Sequence, residues 1–162
     1  MIKRGFTLIE LLIVITIIGI LAALVLVNVQ GVRERARDAR RKSDLVSIKS
    51  ALRLYYNDHK LFPSSTSGNI VGCDGATCSW GTSRFATGST VYMNTLPSDP
   101  SNSASNPSAT YAYHQISDDS YVLIAILENE SDPDISDSQD RCSTPYTSYN
   151  GKDPEHDYVL CE

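Results

Sequence analysis

Hydrophobic positions follow two different regimes along this chain. From Phe6 to Val27 nearly every residue is apolar, and Glu10 is the one acidic interruption. A run of about 20 such residues is long enough to cross a bilayer as a helix. Beyond Gly31 the pattern changes. Leu45, Ile48, Leu52 and Tyr55 recur at spacings of three and four, with Ala51 beside them, while Asp44, Lys49, Arg53 and Asp58 fill intervening positions. That period predicts a helix with one apolar stripe that another layer must cover. No proline intervenes before Pro63, so the two stretches read as one helix from about Phe6 to Asp58, with Gly31 a tolerated glycine within it. Leu61-Phe62-Pro63-Ser64 ends it, because proline cannot continue a helix and restricts the residue before it.

Past the helix the alternation shortens. Residues 64–90, rich in Ser, Thr and Gly, read as a loop. Thr90–Met93, Thr110–His114 and Tyr121–Leu127 are β-branched or aromatic runs bounded by turn residues, and read as strands. Asp118-Asp119 is the expected turn between the last two, and Tyr158-Val159-Leu160 a short edge strand. The expected class is α+β, a small antiparallel meander laid on the amphipathic half of the long helix.

Net charge of −5 conceals a strong segregation. Residues 31–42 carry six bases against Glu34 and Asp38, a net of +4, whereas residues 61–162 carry three bases against fourteen acids, a net of −11. An acidic head argues against a nucleic-acid partner. The basic stretch reads as a solvated helix face or membrane-surface collar, or as a surface facing acidic heads of neighbouring copies. Four cysteines, Cys73, Cys78, Cys142 and Cys161, lie past the apolar run, and an even count in a translocated region favours two disulfides. Three pairings are possible, with the local pairs Cys73–Cys78 and Cys142–Cys161 expected. Zinc would want two tight knuckles, and the second pair is spaced too widely for one.

Glu10 is the costly residue, since an acid at mid-bilayer depth costs about 2.5–3.5 kcal/mol. Lys3-Arg4-Gly5-Phe6-Thr7-Leu8-Ile9-Glu10 resembles the class III leader of type IV pilins and of the related pseudopilins of type II secretion. That resemblance implies cleavage by a prepilin peptidase between Gly5 and Phe6, N-methylation of Phe6, and pairing of Glu10 with the new N-terminus, in a neighbouring copy, during assembly. It implies the type IV pilin fold and this division: leader 1–5, transmembrane and filament-core helix 6–29, amphipathic half 30–62, and disulfide-stapled β-sheet head 63–162. Leu54–Pro63 looks like the segment where major pseudopilins and short pilins leave the helix. Leu96-Pro97-Ser98-Asp99-Pro100, followed by Tyr111-Ala112-Tyr113, resembles another region of major pseudopilins. Many relatives carry a proline where this chain has Val27, so a straighter helix is expected there.

The implied product is a helical homopolymer of this chain. It would start as a single-pass cytoplasmic-membrane protein, N-terminus inside, and be assembled by a pilus or type II secretion machinery into a surface filament or periplasmic pseudopilus. Adhesion, motility, DNA uptake and secretion all fit such a filament. The alternative is a single-pass anchored extracytoplasmic binding protein. For chemistry in the head, clustered carboxylates suit calcium, with Asp132, Asp134 and Asp137 the candidate ligands. Glycines of the corresponding pseudopilin loop are missing, and a solvated acidic loop is the plainer expectation. His59, His114 and His156 belong to no catalytic motif, and no phosphate-binding glycine loop is present, so no enzyme activity is expected. Asn129-Glu130-Ser131 fits a glycosylation acceptor only as a three-residue match.

Overall fold

The computed structural model describes residues 7–101, 111–147 and 153–162, the side chains of 23–30 and 145 excepted. Its elements are α1 (Leu8–His59), β1 (Ser64–Thr66), β2 (Asn69–Cys73), β3 (Ala76–Thr77), β4 (Phe85–Thr87), β5 (Thr90–Met93), β6 (Ala112–Ser117), β7 (Ser120–Ile126), α2 (Asp134–Arg141), α3 (Ser143–Thr147) and β8 (Asp157–Cys161). The class is α+β, a long N-terminal helix followed by mostly antiparallel sheet. The chain divides into two compact units, Met1–Ala36 and Arg37–Glu162.

In the first unit α1 presents apolar side chains on all sides. The large residues from Leu8 to Leu21 are each 45% to 82% exposed, far more contiguous apolar surface than a soluble monomer tolerates. Among the described residues no helix is long and apolar enough to cross a membrane. The described apolar side chains stop at Ala22, short of the roughly 20 a crossing needs, so part of the expected run over 6–29 lies outside the described residues. Gly5 and Phe6 lie outside them as well.

In the second unit the stripe read from the sequence is buried. Leu45, Ile48 and Leu52 have no exposure and join one core with Phe62, Ile70, Phe85, Tyr111, Tyr113, Tyr121 and Leu123. Burying each aliphatic side chain contributes about 1.5–3 kcal/mol. Lys60, with φ of 59°, closes the C-terminal end of α1, and its N–H donates to the Tyr56 carbonyl at 2.8 Å. One sheet has the order β6-β7-β8, antiparallel throughout, with Ala112 opposite Ile124 and Val122 opposite Cys161. Tyr121–Ala125 is buried without alternation because both faces of β7 are covered. Tyr121, Leu123 and Ala125 belong to the core with α1, whereas Val122 and Ile124 pack with Cys142 and Tyr146 of the α2–α3 region.

Two expectations need correction. The stretch 64–90 is not a loop but the strands β1 to β4, which with β5 make a second sheet of order β1-β2-β4-β5, β3 pairing off β2. Its turns carry the signal that composition hid: Ser67-Gly68 and Asp74-Gly75 all have positive φ, the backbone of two-residue hairpin turns. The head is therefore two sheets, with one parallel pairing between β2 and β4, rather than a single meander. Similarly, the acidic stretch after β7 is not simply a loop, since Asp134–Arg141 forms α2 with Asp134 and Asp137 in its first turn, where acids favour the helix dipole. At Gly81 (φ +81°) an added Cβ would meet the Ser98 Cβ at 2.9 Å, which explains glycine where the 96–100 segment crosses.

Cys73 is bonded to Cys78 and Cys142 to Cys161, with separations of 5 and 19 residues. Loop-closure entropy grows with enclosed length. Replacing Cys142 and Cys161 together by Ser is expected to lower the unfolding free energy by about 3 kcal/mol, and the Cys73/Cys78 double replacement by about 2 kcal/mol. Urea unfolding of both variants checks this; an equal or reversed ranking would count against loop closure as the source.

Candidate functional site

The start of α1 is organised by Thr7 and Glu10. The Thr7 backbone N–H donates to Glu10 Oε2 at 2.9 Å and the Thr7 hydroxyl to the same oxygen at 2.8 Å; in return the Glu10 N–H reaches Thr7 Oγ1 at 3.4 Å. This reciprocal arrangement is a capping box, which satisfies donors that a helix start leaves without partners. It also aims the carboxylate at the backbone one residue past Phe6. The motif Thr-x-x-Glu ahead of an apolar run was its sequence signal, and attention to the cost of Glu10 alone missed Thr7.

A second cluster lies where α1 enters the head. Arg41 is 2% exposed, and Asp38 and Asp99 are 1% and 4% exposed. Arg41 grips Asp99 with two bonds, Nε to Oδ2 at 2.7 Å and Nη2 to Oδ1 at 2.9 Å. Its Nη1 donates to Asp38 Oδ1 at 2.6 Å, and Nη2 also meets Ser101 Oγ at 2.7 Å and Glu128 Oε1 at 2.8 Å. Asp38 in turn accepts the backbone N–H groups of Glu128 and Asn129, both at 3.0 Å. Arg37 forks onto Glu128, its Nε 2.7 Å from Oε1 and its Nη2 bonded to Oε2. Buried charges persist only when paired and hydrogen-bonded this fully.

The electrostatics follow from those contacts. Burial alone would lower the Arg41 pKa, but hydrogen bonds to Asp99, Glu128 and Asp38 hold it above the ordinary arginine value. Hydrogen bonding to Arg37, foremost, brings the Glu128 carboxyl down to about 2 against the opposing effect of burial, with Arg41 and Ser101 adding to it. The reading of 31–42 as a solvated basic face is thereby corrected. Arg37, Arg41 and Lys42 are engaged by acids of their own head, while Arg33, Arg35 and Arg40 remain exposed. Asp38 and Arg41 stand in phase with Leu45, Ile48 and Leu52, so extending the apolar stripe by one turn would have placed them on the buried face.

Of the candidate calcium ligands, Asp132 and Asp134 are brought together by a lysine. Lys42 Nζ donates to Asp132 Oδ2 and Asp134 Oδ2, each at 2.7 Å, and stands 5.6 Å from the centre of the Tyr158 ring. Asp137 does not complete a shell with them, and among the described residues no group of three or more His, Cys, Asp or Glu side chains is placed to hold a metal ion. Burial would lower the Lys42 pKa, but its bonds to Asp132 and Asp134 raise it. The ammonium thus supplies the positive charge that this acidic pair requires.

Residues 1–26 match the family model described as the prokaryotic N-terminal methylation motif. Type II secretion system core protein G of Pectobacterium carotovorum subsp. carotovorum is 46% identical over 66 residues, covering 41% of this chain and 42% of that protein. The protein of that name from Escherichia coli K12 is 42% identical over 66 residues, covering 41% and 46%. The one from Klebsiella pneumoniae is 35% identical over 98 residues, 60% of this chain and 69% of its own length. The first two matches therefore span less than half of the relatives they cover. No solved structure matches significantly.

Arg41→Ala is expected to destabilise the head by about 3–5 kcal/mol, since it strands buried carboxylates. Exposed Arg40→Ala should change it by no more than about 0.5 kcal/mol. Glu128 has its folded pKa below its unfolded one, so its contribution is full above about 4.5 and is lost as pH falls through about 2. Glu128→Gln should accordingly flatten the acid limb of the stability profile. Denaturant melts at stepped pH check both; a parental acid limb in Glu128→Gln would overturn the assignment.

Proposed function

This chain belongs to the type IV pilin and pseudopilin family, and we propose that it is the structural subunit of a pilus-like filament of the type II secretion kind. It is processed after Gly5, methylated at Phe6, held in the cytoplasmic membrane by the first part of α1, and then polymerised through that helix. The observation that carries this reading is the all-round exposure of apolar side chains from Leu8 to Leu21. Such a surface has no place in water, and neighbouring copies of the same helix or lipid can cover it. Similarity to core protein G over 98 residues supports secretion over the other roles a filament could serve. No catalytic chemistry enters: the chain is a structural subunit.

Glu10 gives the assembly its direction. A carboxylate among apolar neighbours is stabilised by an opposite charge, and cleavage after Gly5 creates one in the ammonium of Phe6. Thr7 already holds the Glu10 carboxylate by one oxygen, and a carboxylate has capacity for further donors. An incoming copy can therefore be fixed in axial register by placing its new N-terminus against this oxygen-rich spot.

Mass spectrometry of the N-terminal peptide, with electron microscopy of sheared filaments, tests the reading: a methylated Phe6 in filaments supports it, and an intact Met1 in a solitary membrane protein points to a plain anchor. Glu10→Leu is expected to keep the chain in the membrane and reduce filament yield on the order of tenfold, the effect of losing about 1.4 kcal/mol per contact. Wild-type yield from that variant would remove the role given to Glu10.

A further inference from the structure

One of the two head sheets ends at an edge strand, β6, that the first hairpin of the other sheet partly covers. In the order β6-β7-β8, β6 has a strand neighbour on one side. On its other side it meets the β1–β2 hairpin through Tyr113 N–H to the Gly68 carbonyl at 3.0 Å and Gln115 N–H to Ser65 Oγ at 3.1 Å. Between hairpin turn and strand lies a cleft of about 310 Å³, lined chiefly by Ser67, Asn69, Trp80, Tyr111 and His114. That volume falls at the lower end of small-molecule sites, which favour such junctions.

Among the described residues the lining contains no Asp, Glu, Lys or Arg, although residues 61–162 carry fourteen acids and three bases. An ionic ligand would enter without a counter-charge, which is strongly unfavourable. The aromatic wall is fixed. Trp80 stands edge-on to Tyr111, ring centres 5.8 Å apart and planes at 90°, and Tyr111 is anchored by its hydroxyl to Asp44 Oδ2 at 2.7 Å. The indole N–H of Trp80 is shielded from solvent and has no acceptor among the described residues. An unmet buried donor costs about 1–3 kcal/mol and calls for an explanation. Burial pushes the His114 pKa down, so its ring is neutral at pH 7 and can take part without bringing charge.

An aromatic wall beside neutral hydroxyl, amide and imidazole groups matches an uncharged ring with C–H faces and a hydroxyl rim. We propose that this cleft binds a neutral saccharide of one or two rings, stacked on Trp80 and hydrogen-bonded by Ser67, Asn69 and His114. The proposal concerns the head alone and does not rest on the filament reading.

Trp80 is the sole tryptophan of the chain, so its fluorescence reports directly on the cleft. The full chain in a sugar-free detergent is titrated with glucose, galactose, their N-acetylamino forms, maltose and lactose, with glucuronate and glycerol as controls. A saturable emission change is expected with at least one neutral sugar and with neither control. Asn69→Ala and His114→Ala, each verified to melt at the parental temperature, should weaken it about tenfold or more; if either melts early, Ser67→Ala takes its place. No saturable change with any neutral sugar, an equal response to glucuronate or glycerol, or parental affinity in folded variants would each overturn the proposal.

Discussion

A guanidinium almost wholly removed from water must have its charge answered on every side, and at Arg41 the answers come from its own helix and from two distant stretches of chain. Asp38 precedes it on the same helix, Asp99 lies in the segment before the Tyr111-Ala112-Tyr113 run, and Glu128 follows β7. None of these can shift without leaving a buried charge exposed to an apolar surround. The apolar stripe supplies most of the adhesion between helix and sheet, but adhesion of that kind is nondirectional. Arg41 makes it directional by allowing one seating of the helix.

This also gives physical content to the short segment Leu96-Pro97-Ser98-Asp99-Pro100. Leu96 is fully buried in the core, Asp99 is the bidentate partner of Arg41, and the Leu96 carbonyl accepts from Gly81 at 3.0 Å. These five residues are thus where a strand-poor crossing is bolted to the helix. Residues 102–110 lie outside the described residues, yet Ser101, just ahead of them, bonds both Arg41 and Glu128.

Elements with a strong period were legible from the sequence. Helix α1, strand β7 and the flanking strands announced themselves through spacing or through β-branched and aromatic runs. Where composition was used instead of turn chemistry, the reading failed. Ser and Gly in 64–90 looked like loop, yet Asp74-Gly75 between short β-prone pieces is a hairpin signal that outweighs composition. The charged cluster was missed for a related reason. Six bases in a row of twelve residues suggested a solvated face, but the helical phase that places Leu45 inward places Arg41 and Asp38 inward as well. At the N-terminal site Glu10 was legible from its cost, while its partner Thr7 was not, because a threonine among apolar residues attracts no attention until hydrogen bonds are counted.

The cap at the start of α1 has a bearing on maturation. Its bonds involve Thr7 and Glu10, with Thr7 contributing a backbone amide that is present whether or not the first five residues remain attached. The proposed cut after Gly5 would therefore leave every one of those bonds in place. Under the proposed processing, precursor and mature forms would share one pre-built terminus, and excision would need no refolding there: it would add one cation next to an anion that Thr7 already holds.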